Sequence, residues 1–195
     1  MSDPTVKLRL FFALKPQPEQ NTALVSRVAP LAAGLDAQCV PAENIHATLC
    51  FLGAVAPEDL PRLKDVAAER RARRVELLFD SLEFWKKPQI LCATAREGAD
   101  AARDLAESLG KATLAAGFHP DPKLFRAHLT LARKVDPARA EHFERPMPLT
   151  PPMLVRCDRF VLMESRRGEL GSTYSVVDSW PLYAHDTDSS SSNIQ

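Results

Sequence analysis

Two copies of one four-residue pattern constrain this chain more than any other feature: His46-Ala47-Thr48-Leu49 and His128-Leu129-Thr130-Leu131, 82 residues apart, each in a stretch that reads as a strand. Side chains alternate along a strand, so a His and the Thr two residues on project from one face, while Ala47, Leu49, Leu129 and Leu131 anchor the other. Each copy offers an imidazole beside a hydroxyl over an apolar backing. A fold that turns both copies toward one cleft has one imidazole to accept a proton, one to donate it, and two hydroxyls to hold an anion between them. That is equipment for metal-free acid/base chemistry on a phosphodiester.

The order of elements repeats as well. The same offset of 82 carries Lys7 onto Gln89 and Val75 onto Cys157, and each half reads strand, helix, His strand, helix, strand. Strands are expected over residues 7–14, 44–52, 75–84, 89–95, 125–132, 155–164 and 173–183. A first helix aligns Leu24, Val28 and Leu31, with Pro30 expected to kink or shorten it; a second, over about 57–74, aligns Leu60, Leu63 and Ala67; a third aligns Leu105, Leu109 and Ala112 and stops at Gly117. Gly53 reads as a turn after the first motif strand, Asp136-Pro137 as the opening of a short helix, and Pro146, Pro148, Pro151 and Pro152 as an irregular connector. A duplication of this kind predicts an α+β fold of two lobes related by a pseudo-twofold axis, with one His from each at the interface. The bilobal domain is expected over residues 1–185, and the serine-rich residues 186–195 as a disordered polar tail.

Charge and cysteine usage narrow the partners. Lys+Arg and Asp+Glu number 25 each, which argues against holding nucleic acid by bulk charge, so any RNA contact should be local, at an end or a short segment. The one basic cluster, within 69–74, reads as the solvated end of the second helix, and Lys86, Lys87 and Arg126 as candidates for backbone phosphates. Cys39, Cys50, Cys92 and Cys157 lack C-x-x-C spacing and lie in apolar stretches, the pattern of small core residues in a reducing cytosol, with no zinc site or disulfide framework expected. His119, His142 and His185 lack the paired threonine and read as surface or packing residues. The absence of a basic leader followed by an apolar run, and of about 18 uninterrupted apolar residues, predicts a soluble, cytoplasmic protein, read here as a monomer.

Further residues surround the two motifs: Arg9-Leu10-Phe11-Phe12-Ala13-Leu14, Asn44-Ile45 before the first and Cys50-Phe51-Leu52-Gly53 after it, Phe125-Arg126-Ala127 before the second and Ala132-Arg133 after it, then Leu162-Met163-Glu164-Ser165, Gly171-Ser172-Thr173-Tyr174 and Trp180-Pro181-Leu182. With these blocks the chain, from about residue 8 to 182, resembles the RNA 2′,3′-cyclic phosphodiesterases, also called 2′-5′ RNA ligase-like proteins, of the two-histidine phosphoesterase superfamily. The resemblance implies a bilobal duplicated fold of two antiparallel sheets flanked by helices around a central cleft. It also implies hydrolysis of a 2′,3′-cyclic phosphate to a 2′-phosphomonoester with no metal and no cofactor. On that pattern His46 is the general acid and His128 the general base, Thr48 and Thr130 bond the non-bridging oxygens, Arg133 adds positive charge, and Phe51 stacks on the terminal base. Ala127 stands where a proline is common and Ala47 where a bulkier β-branched residue is usual; neither removes a functional group.

RNA ends bearing a 2′,3′-cyclic phosphate are therefore the expected partner. The alternatives are 2′-5′ RNA ligase activity by the same pair run backwards, hydrolysis of a 2′-5′-linked oligonucleotide or of a nucleotide-derived cyclic phosphate, or a catalytically idle RNA-end binding module. Intact copies of both motifs argue against the last.

Overall fold

The computed structural model describes residues 6–95, 98–141, 143, 145–168 and 171–184. Its first sheet is built on the apolar run Leu8–Leu14 (β1), flanked by β3 (Ala47–Val55) and β8 (Arg159–Gly168), with β9 (Gly171–Pro181) at the edge, in the order β3-β1-β8-β9. The second sheet contains β2 (Gln38–Cys39), β4 (Val75–Trp85), β5 (Ile90–Thr94), β6 (His128–Arg133) and β7 (Met147–Cys157), in the order β2-β6-β5-β4-β7. Every strand pairing within the sheets is antiparallel. With α1 (Pro18–Gly34), α2 (Leu60–Ala68) and α3 (Asp100–Ala115), this is the expected α+β fold of two antiparallel sheets flanked by helices.

The halves of the sequence are not the lobes of the molecule. β4 belongs to the first half but pairs with β5 in the second sheet, and β8 belongs to the second half but pairs with β1 in the first. The first half thus contributes β2 and β4 to the second sheet and the second half contributes β8 and β9 to the first, which ties the two sheets into one structure. One apolar core runs through both, drawing Leu10, Phe12 and Leu14 from the first sheet and Leu77, Phe79, Leu91, Ala93, Leu129 and Leu131 from the second. Phe12 anchors it, with ring centroids 6.2 Å from Phe160 and 5.9 Å from Trp180. The opposite face of the first sheet carries a separate cluster of Phe11, Ala13, Val161 and Met163, against which Phe51 and Tyr174 pack half-buried.

A single offset of 82 does not survive in the pairing. Ala13 lies opposite Thr48 and Cys92 opposite Thr130, an offset of 79 between β1 and β5; Val161 lies opposite Ala13 and Glu83 opposite Cys92, an offset of 78 between β4 and β8. Register is preserved around the motifs while the connections have changed length, as surface loops tolerate.

Several local expectations are corrected. The stretch 155–164 is not one strand: β7 ends at Cys157, and at Asp158 the chain leaves the second sheet for the first. Pro148, Pro151 and Pro152 lie within β7, which is the edge strand of its sheet, where a missing N–H need not cost a ladder bond. The register jump from Phe79↔Met153 to Ser81↔Pro148 sets residues 149–152 against Asp80 alone, so two of the prolines fall in an irregularity of the ladder. Asp136-Pro137 opens turns rather than a helix, although the Asp136 carboxylate does accept from the Ala138 N–H at 3.0 Å. Helix α2 ends at Ala68, so Arg70–Arg74 follow the helix instead of terminating it, and Arg71 lies over the Tyr183 ring. Pro30 does not end α1, which continues to Gly34. Gly117, at φ +84, stops α3 as expected, its N–H bonded to the Leu114 carbonyl at 3.0 Å. Cys50, Cys92 and Cys157 are buried as expected, but Cys39 is exposed on the short edge strand β2. His119 is exposed, as a surface residue should be, while His142, His185 and the tail 186–195 lie outside the described residues. Among the described residues no helix is long and apolar enough to cross a membrane.

Candidate active site

Both histidines stand at the start of their motif strands, His46 one residue before β3 and His128 as the first residue of β6. Each half-buried ring is fixed in the same way. The Nδ1–H of His46 donates to the Asn44 carbonyl at 2.7 Å and that of His128 to the Arg126 carbonyl at 2.8 Å, in each case the carbonyl two residues back. A carbonyl only accepts, so Nδ1 carries the proton and Nε2 is the atom left to exchange one.

The strands then deliver Thr48 and Thr130 to the same face as their histidines, half-buried and at matching register positions. Strict alternation would next turn Phe51 and Arg133 away, since both lie five residues after a His. A β-bulge prevents this. Between Thr48, opposite Ala13, and Cys50, opposite Phe12, Leu49 is an extra residue; between Thr130, opposite Cys92, and Ala132, opposite Leu91, Leu131 is the extra one. The parity of each strand flips, and Phe51 and Arg133 return to the face of the histidines as counterparts in the two lobes. Gly53, read as a turn, instead continues β3 through a second bulge, at φ +71, where glycine is unstrained.

The two sheets meet at these residues. The Arg133 guanidinium reaches across from β6 to donate to the Tyr174 hydroxyl of β9 at 3.5 Å. His46 is packed by Phe11 and Tyr174, with centroids at 4.9 and 5.0 Å, while His128 is packed by Trp85 at 4.6 Å. Phe51 carries the Arg9 guanidinium 4.6 Å from its ring centre. Phe11 and Tyr174 stand in the blocks around the motifs but without a role at the site, and Glu83 and Trp85 were not singled out from sequence. The signal lay in β4, where Glu83 and Trp85 are two apart on one strand face, but nothing in a lone strand says which face meets the motifs.

Electrostatics follow from this enclosure. Burial lowers His46 from its ordinary value to about 4; the bond to the Asn44 carbonyl opposes the shift, and the charges of Arg133, His128 and Lys15 add to it. Burial also lowers His128, opposed by the Arg126 carbonyl, reinforced by Arg126 and Arg133, and opposed by Glu83. His46 therefore feels the charge of His128 from the other sheet, and both feel Arg133. Cys92 beside Thr130 is no competing nucleophile, because burial pushes its thiol up to about 12.

These shifts make a stability prediction. A His whose folded-state value is depressed binds fewer protons than in the unfolded chain, so its contribution is complete above pH ~6.5 and is lost as the pH falls toward about 4. In urea unfolding at pH 7, 5.5 and 4.5, the wild-type protein should lose more stability than His46→Gln across that window. Parallel losses would show that the ring carries no such penalty.

The model of the LigT-like phosphoesterase family matches this chain twice in succession, over residues 13–92 and 93–174. The chain belongs to that family. The two matches begin 80 residues apart, close to the offset of 79 that the register gives for β1 and β5. Among curated relatives, an RNA 2′,3′-cyclic phosphodiesterase of Archaeoglobus fulgidus is 29% identical over 133 residues, 65% of this chain and 72% of that protein. An RNA 2′,3′-cyclic phosphodiesterase of Escherichia coli is 29% identical over 141 residues, 71% of this chain and 77% of that protein. The phosphoesterase also shares its fold with the crystal structure of Escherichia coli LigT complexed with 3′-AMP, at a TM-score of 0.79 and 24% identity, over 90% of this chain and 98% of that one.

Proposed function

We propose that this phosphoesterase hydrolyses the 2′,3′-cyclic phosphate at an RNA end to a 2′-phosphomonoester. The observation that carries the reading is the pair of imidazoles, one from each sheet, each with Nδ1–H committed to the carbonyl two residues back and a Thr beside it, with Arg133 reaching from the strand of His128 to the Tyr174 that packs on His46. His128 takes a proton from water as the oxygen attacks phosphorus, the bond from phosphorus to the 3′ oxygen breaks, and His46 gives its proton to that oxygen. Thr48 and Thr130 donate to the non-bridging oxygens, Arg133 stabilises the added negative charge, and the terminal base stacks at Phe51. The names of the two curated relatives point to the same substrate.

Both rings favour the neutral form without substrate, and the phosphodiester anion corrects this. A negative charge held within a few ångströms of both imidazoles raises their proton affinity, so the proton that the acid needs is taken up with the substrate. The cations Arg133 and Lys15 near His46 supply the charge that a metal ion would bring and would repel one, which supports a metal-free mechanism. The test is RNA ending in a 2′,3′-cyclic phosphate, incubated in excess EDTA, with the product isomer identified. A 2′-phosphate formed at an undiminished rate is expected. A 3′-phosphate, or activity lost to EDTA and restored by a divalent ion, would sink the proposal.

A further inference from the structure

The duplicated frame allows the surroundings of the two histidines to be compared position by position. In the first sheet Thr48, Ala13 and Val161 lie side by side, and beyond them Phe51, Phe11 and Met163. In the second the matching rows are Thr130, Cys92 and Glu83, then Arg133, Ile90 and Trp85. Where one lobe has Val161 and Met163, the other has Glu83 and Trp85. A carboxylate with only 16% of its side chain exposed is costly unless it is paired, and Glu83 is paired three times. Its Oε1 accepts from the Thr94 hydroxyl at 2.9 Å, and its Oε2 from the Trp85 indole N–H at 3.1 Å and from the Arg126 guanidinium.

Two of these partners end on His128. The Arg126 carbonyl holds the Nδ1–H of the ring, and Trp85 packs against it at 4.6 Å while carrying the Arg126 guanidinium 4.8 Å from its own ring centre. We infer that Glu83 is a positioning residue that breaks the symmetry of the duplicated site, fixing the His128 ring through Arg126 and Trp85 and setting a carboxylate beside that imidazole alone. The inference rests on the acid/base reading above and deepens it.

The charges that face the rings agree with this. Around His128 are Arg126 and Arg133, with His46 on the other sheet, and Glu83 from β4 is the acid among them; around His46 are Arg133, Lys15 and His128, all bases. Burial alone would raise the Glu83 carboxyl, but the bonds from Trp85 and Thr94 and the charge of Arg126 hold it below the usual range, so its negative charge persists at neutral pH. A more basic His128 suits the group that deprotonates water. A His46 without a carboxylate gives the more acidic imidazolium, which suits protonation of a departing alkoxide.

The experiment is an NMR titration of the histidine ring protons in the ligand-free protein, beside steady-state kinetics on the cyclic-phosphate RNA. Glu83→Gln keeps the shape and removes the charge; it should move the His128 midpoint down by about half a pH unit or more and leave that of His46 in place. It should also lower kcat about 10-fold with KM changed less than about twofold. Arg126→Met should move the His128 midpoint the opposite way, upward, and answers the question if Glu83→Gln fails to fold. An unmoved His128 in folded Glu83→Gln, equal movement of both rings, or no rise in Arg126→Met would overturn the inference. Because the titration needs no substrate, failure of the cyclic-phosphate assay alone would count against the reaction and not against the role of Glu83.

Discussion

His46→Ala and His128→Ala are each expected to lower kcat on a 2′,3′-cyclic phosphate by roughly 10²- to 10⁴-fold, the range a positioned acid or base supplies. Folding should scarcely change. The rings stand at strand ends and are half-buried, while the anchoring on the opposite face is done by Ala47, Leu49, Leu129 and Leu131, all under 10% exposed. Leu131→Ala is therefore the contrast: it should cost about 2–5 kcal/mol of stability. The double mutant of the histidines should be little worse than the poorer single, because a base without its acid performs only part of one concerted step. Turnover and thermal midpoint measured on all four variants separate these effects. Near wild-type turnover in both single histidine mutants would withdraw the acid/base pair from the reaction.

What the sequence made legible, and what it did not, divides along one physical line. Properties set by neighbours in the chain were visible: the period of two that places His46 with Thr48, the apolar runs of β1 and β5, and the glycine that ends α3. Properties set by partners in space were not. Continuous β propensity across residues 155–164 hides the change of sheet at Asp158, because both strands want the same residue types. The prolines of β7 speak against a strand unless one knows that it lies at an edge.

The site itself shows the same division. Strand alternation accounts for four of the six residues singled out, His46, Thr48, His128 and Thr130. It contradicts the other two, Phe51 and Arg133, whose place came from family resemblance. The bulges at Leu49 and Leu131 reconcile the two, and a bulge is a matter of register against β1 and β5 that no single strand discloses. Glu83 and Trp85 were missed for a related reason. They belong to β4, a strand of the first half in sequence, and reach His128 only because β4 is lent to the second sheet.

Because the bulge at Leu131 returns Arg133 to the face of the histidines, Arg133→Ala is expected to lose much of the activity. The guanidinium is exposed, hydrogen-bonds among the described residues only to the Tyr174 hydroxyl, at the limit of hydrogen-bond distance, and is felt by both imidazoles, so its removal should leave the fold intact. It should nevertheless reduce kcat/KM by about 10²-fold, the equivalent of about 2.7 kcal/mol, as one or two charge-assisted bonds to the phosphorane are lost. Arg133→Lys should recover part of the loss, since the charge returns without the planar fork. A second readout separates phosphate binding from mere packing. Arg133 lowers both histidines, so without it each ring binds its proton more readily, and the acid limb of the profile of kcat/KM against pH should move upward while the rate falls. A drop in rate with an unmoved profile would place Arg133 outside the field of the two rings, and full activity in Arg133→Ala would remove it from the phosphate site.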